Sequence, residues 1–229
     1  MNHILKIIKE FREQIKSNSK LEIDTTNWND IIDISDSSMG WTLEDLKTIA
    51  NLEMEKKDAP ILKLSGMKLI WESNTDDYTI YGGFYFNGIF EALANPSTFW
   101  KIDFSLSNDV PVPEHLKHFE TLNWFEKQGR SDDWRYSCFK RETKKFPPKI
   151  VFFDKNWYCS INLSIEEYFE AMISSCAVKG WQYFFIDWNQ NIPHKSIALD
   201  DMEIAIRVLP ELFPEKDFSY HINIYNQVK

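Results

Sequence analysis

Glycine is scarce in this chain: seven of 229 residues. So few glycines argue against a glycine-rich phosphate cradle and against a repetitive all-β barrel. Cysteine is scarcer. Cys138, Cys159 and Cys176 are odd in number and lack a C-x-x-C spacing. They read as buried thiols in a reducing cytosol, not as a disulfide framework or a zinc clamp. No apolar run reaches the roughly 20 residues a membrane span needs. The opening MNHILKIIKEFREQIK interleaves Ile4, Leu5, Ile7, Ile8, Phe11 and Ile15 with charged residues. That spacing predicts an amphipathic helix, not the apolar heart of a signal peptide. The expected location is the cytoplasm, with no membrane partner.

Positive charge is also short. There are 26 Lys and Arg against 35 Asp and Glu, a net charge of -9 and a pI near 5.1. An acidic surface repels phosphate backbones, so no nucleic-acid partner is expected. The same surface suits a basic protein, although it also serves simply to keep a chain soluble. The familiar catalytic signatures are missing. YGGFYFNG lacks the lysine and hydroxyl that follow a phosphate-binding loop, and neither G-x-S-x-G nor an EF-hand loop occurs. His115 and His118 stand three apart in EHLKH. That spacing could share a metal, but it is not H-E-x-x-H, and exposed surface histidines are the better reading. A second class of function, a small metal-dependent hydrolase, would rest on these two residues. No metal and no cofactor is expected.

Aromatic residues are abundant at 15%, which predicts a core of large flat side chains. The pattern along the chain predicts a single α+β domain over residues 1–229, with a mainly antiparallel sheet flanked by helices. After the first helix, 17–40 is rich in Ser, Asn and Asp and reads as an irregular connection holding at most a short strand. Thr42, with Asp45 three residues on, marks a second helix start. Ile61 to Trp71 reads as a hairpin turning at Ser65-Gly66. Tyr78 to Phe86 is a strand with a Gly82-Gly83 break, followed by a short helix or turn over 89–94. The alternation in 98–105 predicts another strand. Residues 111–142 read as a helix over Glu114–Phe119, a further helical turn and an exposed charged stretch.

Residues 149–173 are the most legible stretch. Lys149 to Phe153 is a near-continuous apolar run, hence a buried strand. A turn at Asp154-Lys155-Asn156 leads into a half-buried strand with Cys159 facing inward. Ser164 and Glu167 then form an S-x-x-E capping box, and Tyr168, Phe169, Met172 and Ile173 face the core. A cysteine in apolar surroundings is a poor nucleophile, so Cys159 reads as structural. Gly180 is expected to end the helix. WQYFFIDW is either a strand or a buried helical turn. A last helix capped by Asp200 or Asp201 leads into a tail.

Three acidic groups stand out: Asp30, Asp33 and Asp36; Glu72, Asp76 and Asp77; Asp132 and Asp133. The second has Trp71 and Tyr78 beside it, and the third has Trp134 and Tyr136. Charged rims around aromatic anchors are how protein-binding hot spots are built. The candidate partner-binding residues are therefore Glu72, Asp76, Asp77, Tyr78, Asp132, Asp133 and Trp134, weighed against the plainer reading of solvated turns with their aromatics tucked inside. No residue is assigned a catalytic role.

The stretch PPKIVFFDKNWYCSINLSIEEYFEAMI, from Pro147 to Ile173, resembles the SUKH superfamily, which includes Syd, fungal cell-wall-assembly regulators and many bacterial immunity proteins. The match lies in strand, turn, strand and a helix entry at Ser164-Ile165-Glu166-Glu167-Tyr168-Phe169. GWQYFFID and LPELFPEKDFS are similar to segments of longer members. The resemblance covers about the last third of the chain. It implies an α+β fold that works by binding, since many members neutralise a polymorphic toxin, often a nuclease; joined to the acidic, aromatic-flanked composition, the expected partner is a basic toxin domain neutralised by occlusion. A regulatory adaptor of cell-envelope synthesis is the alternative it suggests.

Overall fold

The computed structural model describes residues 3–24, 44, 47–48, 51–55, 61, 64, 66–74, 79–94, 99–101, 104–106, 111–130 and 134–229. Its frame is one seven-stranded sheet in which every strand pairs antiparallel with its sequence neighbour. The strands are β1 (Glu22–Ile23), β2 (Met67–Asn74), β3 (Thr79–Phe86), β4 (Leu122–Gln128), β5 (Arg135–Lys140), β6 (Lys149–Asp154) and β7 (Trp157–Ile161). Helices α1 (His3–Ser17), α2 (Ile89–Ala94), α3 (Ile165–Ser174), α4 (Lys195–Leu212) and α5 (Ser219–Val228) accompany it. The α+β architecture with a mainly antiparallel sheet is as the sequence predicts.

The inner sheet face carries the main core. Met67, Leu69 and Trp71 of β2 stand beside Ile80, Phe84 and Phe86 of β3. Phe125, Phe139, Ile150, Phe152, Cys159 and Ile161 continue that layer across the sheet. The apolar stripe of α1 covers it with Ile4, Leu5, Ile8, Phe11 and Ile15, and α1 packs against α3. Ala198, Met202, Ala205, Val208, Leu209 and Leu212 do the same from α4. Each Leu- or Phe-sized side chain so buried contributes about 1.5–3 kcal/mol. The α3 start is built as expected: Glu167 donates its backbone N–H to Ser164 Oγ at 3.2 Å, and Ser164 N–H donates to Glu167 Oε2 at 2.8 Å.

After α3 the chain doubles back through two left-handed residues, Cys176 (φ 53°) and Ala177 (φ 48°). This brings 177–179 against the first half of β3, where β4 does not reach. Gly83 donates its N–H to Ala177 O at 2.8 Å, and Lys179 donates to Tyr81 O at 3.0 Å. The close approach explains the Gly82-Gly83 pair. A Cβ on Gly82 would sit 2.4 Å from the Trp71 indole, whose Nε1 donates to Cys176 O at 2.9 Å. Gly83 has φ 129°, and a Cβ there would lie 2.1 Å from Leu69 O. The break is thus a contact point inside a continuous strand.

Several expectations are corrected. Leu62, Lys63 and Ser65 of the expected hairpin at Ser65-Gly66 lie outside the described residues; its second half is β2, which begins at Met67 and pairs with β1 and β3. Phe99–Lys101 is a 3-10 turn rather than a strand, and Glu114–Thr121 is a 3-10 helix. The stretch after it is two central strands, β4 and β5, with Arg135 to Phe139 all buried. β5 is covered on both faces, and the bulge between Trp124 and Glu126 breaks the alternation of β4, so neither strand shows the polar–apolar pattern of a half-wet strand. Trp181–Phe184 is the buried helical turn, entered through left-handed Gly180 (φ 72°). Helix α4 starts at Lys195, so Asp200 and Asp201 lie inside it, and the tail is helix α5. The Thr42 and Asp45 cap and the Asp30, Asp33 and Asp36 group lie outside the described residues.

Candidate functional site

The outer sheet face divides in two. Over β5 to β7 it is roofed by Trp100, Leu116 and Phe119 from the two 3-10 segments, packed on Tyr136, Cys138, Val151 and Phe153. Trp100 stacks on Phe119 at 5.7 Å between ring centroids, and Phe119 meets Phe153 edge-on at 5.8 Å. Toward β2 to β4 the roof stops. There a cavity of about 480 Å³ opens, lined by Lys68, Tyr85, Phe99, Trp124, Lys127, Gln128, Gly129, Arg130 and Tyr136.

Strand register puts these side chains together. Lys68 opposes Tyr85, and Tyr85 opposes Lys127. Lys127 in turn opposes Tyr136 across the β4–β5 ladder. The ladder breaks register between Trp124 and Glu126, and this bulge places Trp124 on the same face as Lys127, three positions away. Tyr85 is 40% exposed and leans on Trp124, with ring centroids 5.7 Å apart and planes 31° apart. Trp124 meets Tyr136 edge-on at 6.0 Å. The Lys127 ammonium stands 5.6 Å from the Tyr136 ring centre and 5.7 Å from that of Trp134. The Arg130 guanidinium lies 4.3 Å over Tyr81 and pairs with Glu72.

Two of the seven expected partner-binding residues therefore border this surface. Glu72 projects from β2 on the outer side and is held by Arg130. Trp134 precedes β5, is 37% exposed and sits under Lys127. Asp76, Asp77, Tyr78, Asp132 and Asp133 lie outside the described residues. Among the described residues the lining carries Lys68, Lys127 and Arg130, and Arg130 is paired with Glu72 at its border. Sequence reasoning missed Lys68, Tyr85, Trp124, Lys127 and Arg130. The period-two spacing of Lys68, Ile70 and Glu72 on β2 was the available signal; the bulge hid the rest.

Elsewhere the reactive side chains are sealed or dispersed. Burial pushes the Cys159 and Cys176 thiols up to about 12. It pushes Cys138 well above its ordinary value, with the Glu126 carboxylate adding to the effect. None is a thiolate near neutral pH. His115 and His118 are both exposed, and no group of three metal-ligating side chains occurs among the described residues. His221 Nε2 lies 2.8 Å from Ser175 Oγ, but Ser175 is fully buried and His221 is 2% exposed. That hydroxyl also donates to Ala171 O at 2.8 Å, closing the end of α3. A buried polar column joins the sheet to α3 and the Trp181–Phe184 turn: the Tyr168 hydroxyl lies 2.9 Å from Glu126 Oε2 and 2.5 Å from Ser137 Oγ, and Gln182 Nε2 donates to Glu126 at 3.2 Å. No family model, curated protein or solved structure matches this chain.

Proposed function

We propose that this protein is a non-catalytic binding module of the immunity type, which neutralises a toxin protein by covering it. Its contact surface is the open half of the outer sheet face. The observation that carries the reading is the aromatic–cationic surface of exposed Tyr85 and half-buried Trp124 and Lys127, which the described roof of the neighbouring half of the same face does not reach. Semi-exposed Tyr and Trp beside cations make the anchors that dominate protein interfaces, because they bring large rigid area at low entropic cost. The resemblance of 147–173 to the SUKH superfamily supports the same class, and so does the SUKH-like reading of that stretch as scaffold. Glu72 and Trp134 form part of the rim, with Asp76, Asp77, Tyr78, Asp132 and Asp133 proposed as further rim residues.

The test is co-expression with a toxin encoded beside this gene. Cells producing both should survive, and the two proteins should co-purify. Tyr85→Ala should weaken the complex ~30-fold or more, the loss expected of a hot-spot aromatic worth at least ~2 kcal/mol. Cell death despite full expression, or a complex indifferent to Tyr85→Ala and Trp124→Ala, sinks the proposal.

A further inference from the structure

We infer that helix α5 is an acid-released latch: protonation of His221 lifts it from the body of the protein while the sheet stays folded. Helix α5 packs on α4 and on the Trp181–Phe184 turn and forms no part of the sheet. Its one buried residue is His221. Ile224, Tyr225 and Val228 lie partly buried beside it, while Tyr220 and Ile222 are exposed. Side-chain bonds tie the helix to its neighbours. The Tyr220 hydroxyl donates to Phe184 O at 3.3 Å, and that of Tyr225 donates to Glu203 Oε2 at 3.0 Å. An element with so little buried apolar surface belongs to the part of a fold that opens locally, ahead of the core.

The hydrogen bonds around His221 leave no place for a second proton. A hydroxyl has one proton to give, and Ser175 Oγ gives it to Ala171 O at 2.8 Å. Toward the ring, 2.8 Å away, that oxygen only accepts, so Nε2 carries the hydrogen of the neutral imidazole. An added proton goes to Nδ1, which is buried and has no hydrogen-bond partner. The rings of Phe184, Phe185, Phe218 and Tyr220 surround the imidazole. The charges that act on it come from the 213–218 loop. Lys216, fixed on Ile173 O at 2.7 Å, repels a ring cation. Asp217 attracts one, but its carboxylate is engaged by the Ser219 N–H at 2.8 Å. From α3 the ring meets Ser175, from the 181–185 segment Phe184 and Phe185, and α4 presents Glu203, held by Tyr225 one helical turn along α5. A charged imidazole is thus poorly compensated in the docked helix and solvated in the undocked one. That difference is what biases a two-position element.

Hydrogen exchange of the full native chain between pH 7.5 and 3.5, corrected for the intrinsic pH dependence of exchange, tests the latch. Amides of Ile224 to Val228 should open roughly 10-fold or more as often as those of β6 at every pH, with little response to low urea, because they exchange by undocking and not by global unfolding. Burial lowers His221 to about 4 from its ordinary 6.5, so acid should raise their opening ~200-fold over this range. The rise should be at least ~30-fold smaller in His221→Leu, which lacks the titration. Nitrogen shifts of the imidazole read the ring directly in the unaltered chain: it should stay neutral, with its hydrogen on Nε2, down to about pH 5. Exchange of the α5 amides at the rate and urea response of β6 overturns the inference. So does an acid response that His221→Leu leaves intact, a ring that charges near its ordinary value, or a hydrogen found on Nδ1.

Discussion

Acid should weaken this fold through one histidine. His221 sits between the rings of Phe184, Phe185, Phe218 and Tyr220, with Ser175 Oγ on Nε2. Burial lowers it to about 4 from its ordinary 6.5; Lys216 pushes the same way, and Asp217 opposes both. The folded state thus keeps the ring neutral where the unfolded chain has already protonated it. Stability is fully present above pH 6.5, declines as pH falls toward 4, and levels below it. A displacement of this size corresponds to about 3 kcal/mol, at about 1.4 kcal/mol per pH unit. The control is His221→Leu, which removes the titration and leaves Ser175 bonded to Ala171 O. Urea unfolding at several pH values between 7.5 and 3.5 measures the difference. Carboxylates contribute to both proteins alike, so the wild type should lose about 3 kcal/mol more than the variant over this range. Parallel stability–pH curves for the two would show that the ring is not held neutral, and the account of its burial would fall.

Three further perturbations address the scaffold by urea unfolding. Ser164→Ala removes one half of the reciprocal cap at α3 and should cost about 1 kcal/mol; pairing it with Glu167→Ala in a double-mutant cycle should reveal coupling between the two. Gly83→Ala forces a Cβ against Leu69 O at φ 129° and should destabilise by at least about 2 kcal/mol, whereas the same change at Gly66, where the nearest atom is 3.3 Å away, should cost less. Asp201→Ala strips Arg135 of a partner at 2.7 Å and Lys179 of one at 3.0 Å. Since Arg135 is 7% exposed, a loss of about 3 kcal/mol is expected, and a neutral result would mean the network is hydrated.

What was legible in the chain divides along a physical line. Residues 149–173 could be read because their elements are local and one-sided: β7 has one wet face, α3 has a cap written in four consecutive residues, and its apolar positions follow the helical period. The strands β4 and β5 could not be read. Glu126, Gln128, Ser137 and Arg135 are polar yet buried, because each finds partners supplied from far along the chain: Tyr168, Gln182, Gly180 and Asp201. A polar residue at a buried strand position cancels the alternation that would announce the strand. No local pattern carries the identity of a partner dozens of residues away. The Phe99–Lys101 segment failed for the opposite reason: its alternation was genuine, but the rings of Phe99 and Trp100 are satisfied by packing on the sheet rather than by joining it.

The candidate surface was half legible for a related reason. Trp134 and Glu72 could be picked out because acidic residues and aromatics lie adjacent in sequence. The cations of the face are not adjacent in sequence: Lys68 comes from β2, Lys127 from β4 and Arg130 from the turn after it, and the bulge in β4 moves Trp124 onto their side. Net charge is a sum over the whole surface and says nothing about where two lysines and an arginine converge. Screening confines exposed charges to about 8–10 Å at physiological salt, so a docked segment feels the nearest few groups and not the total.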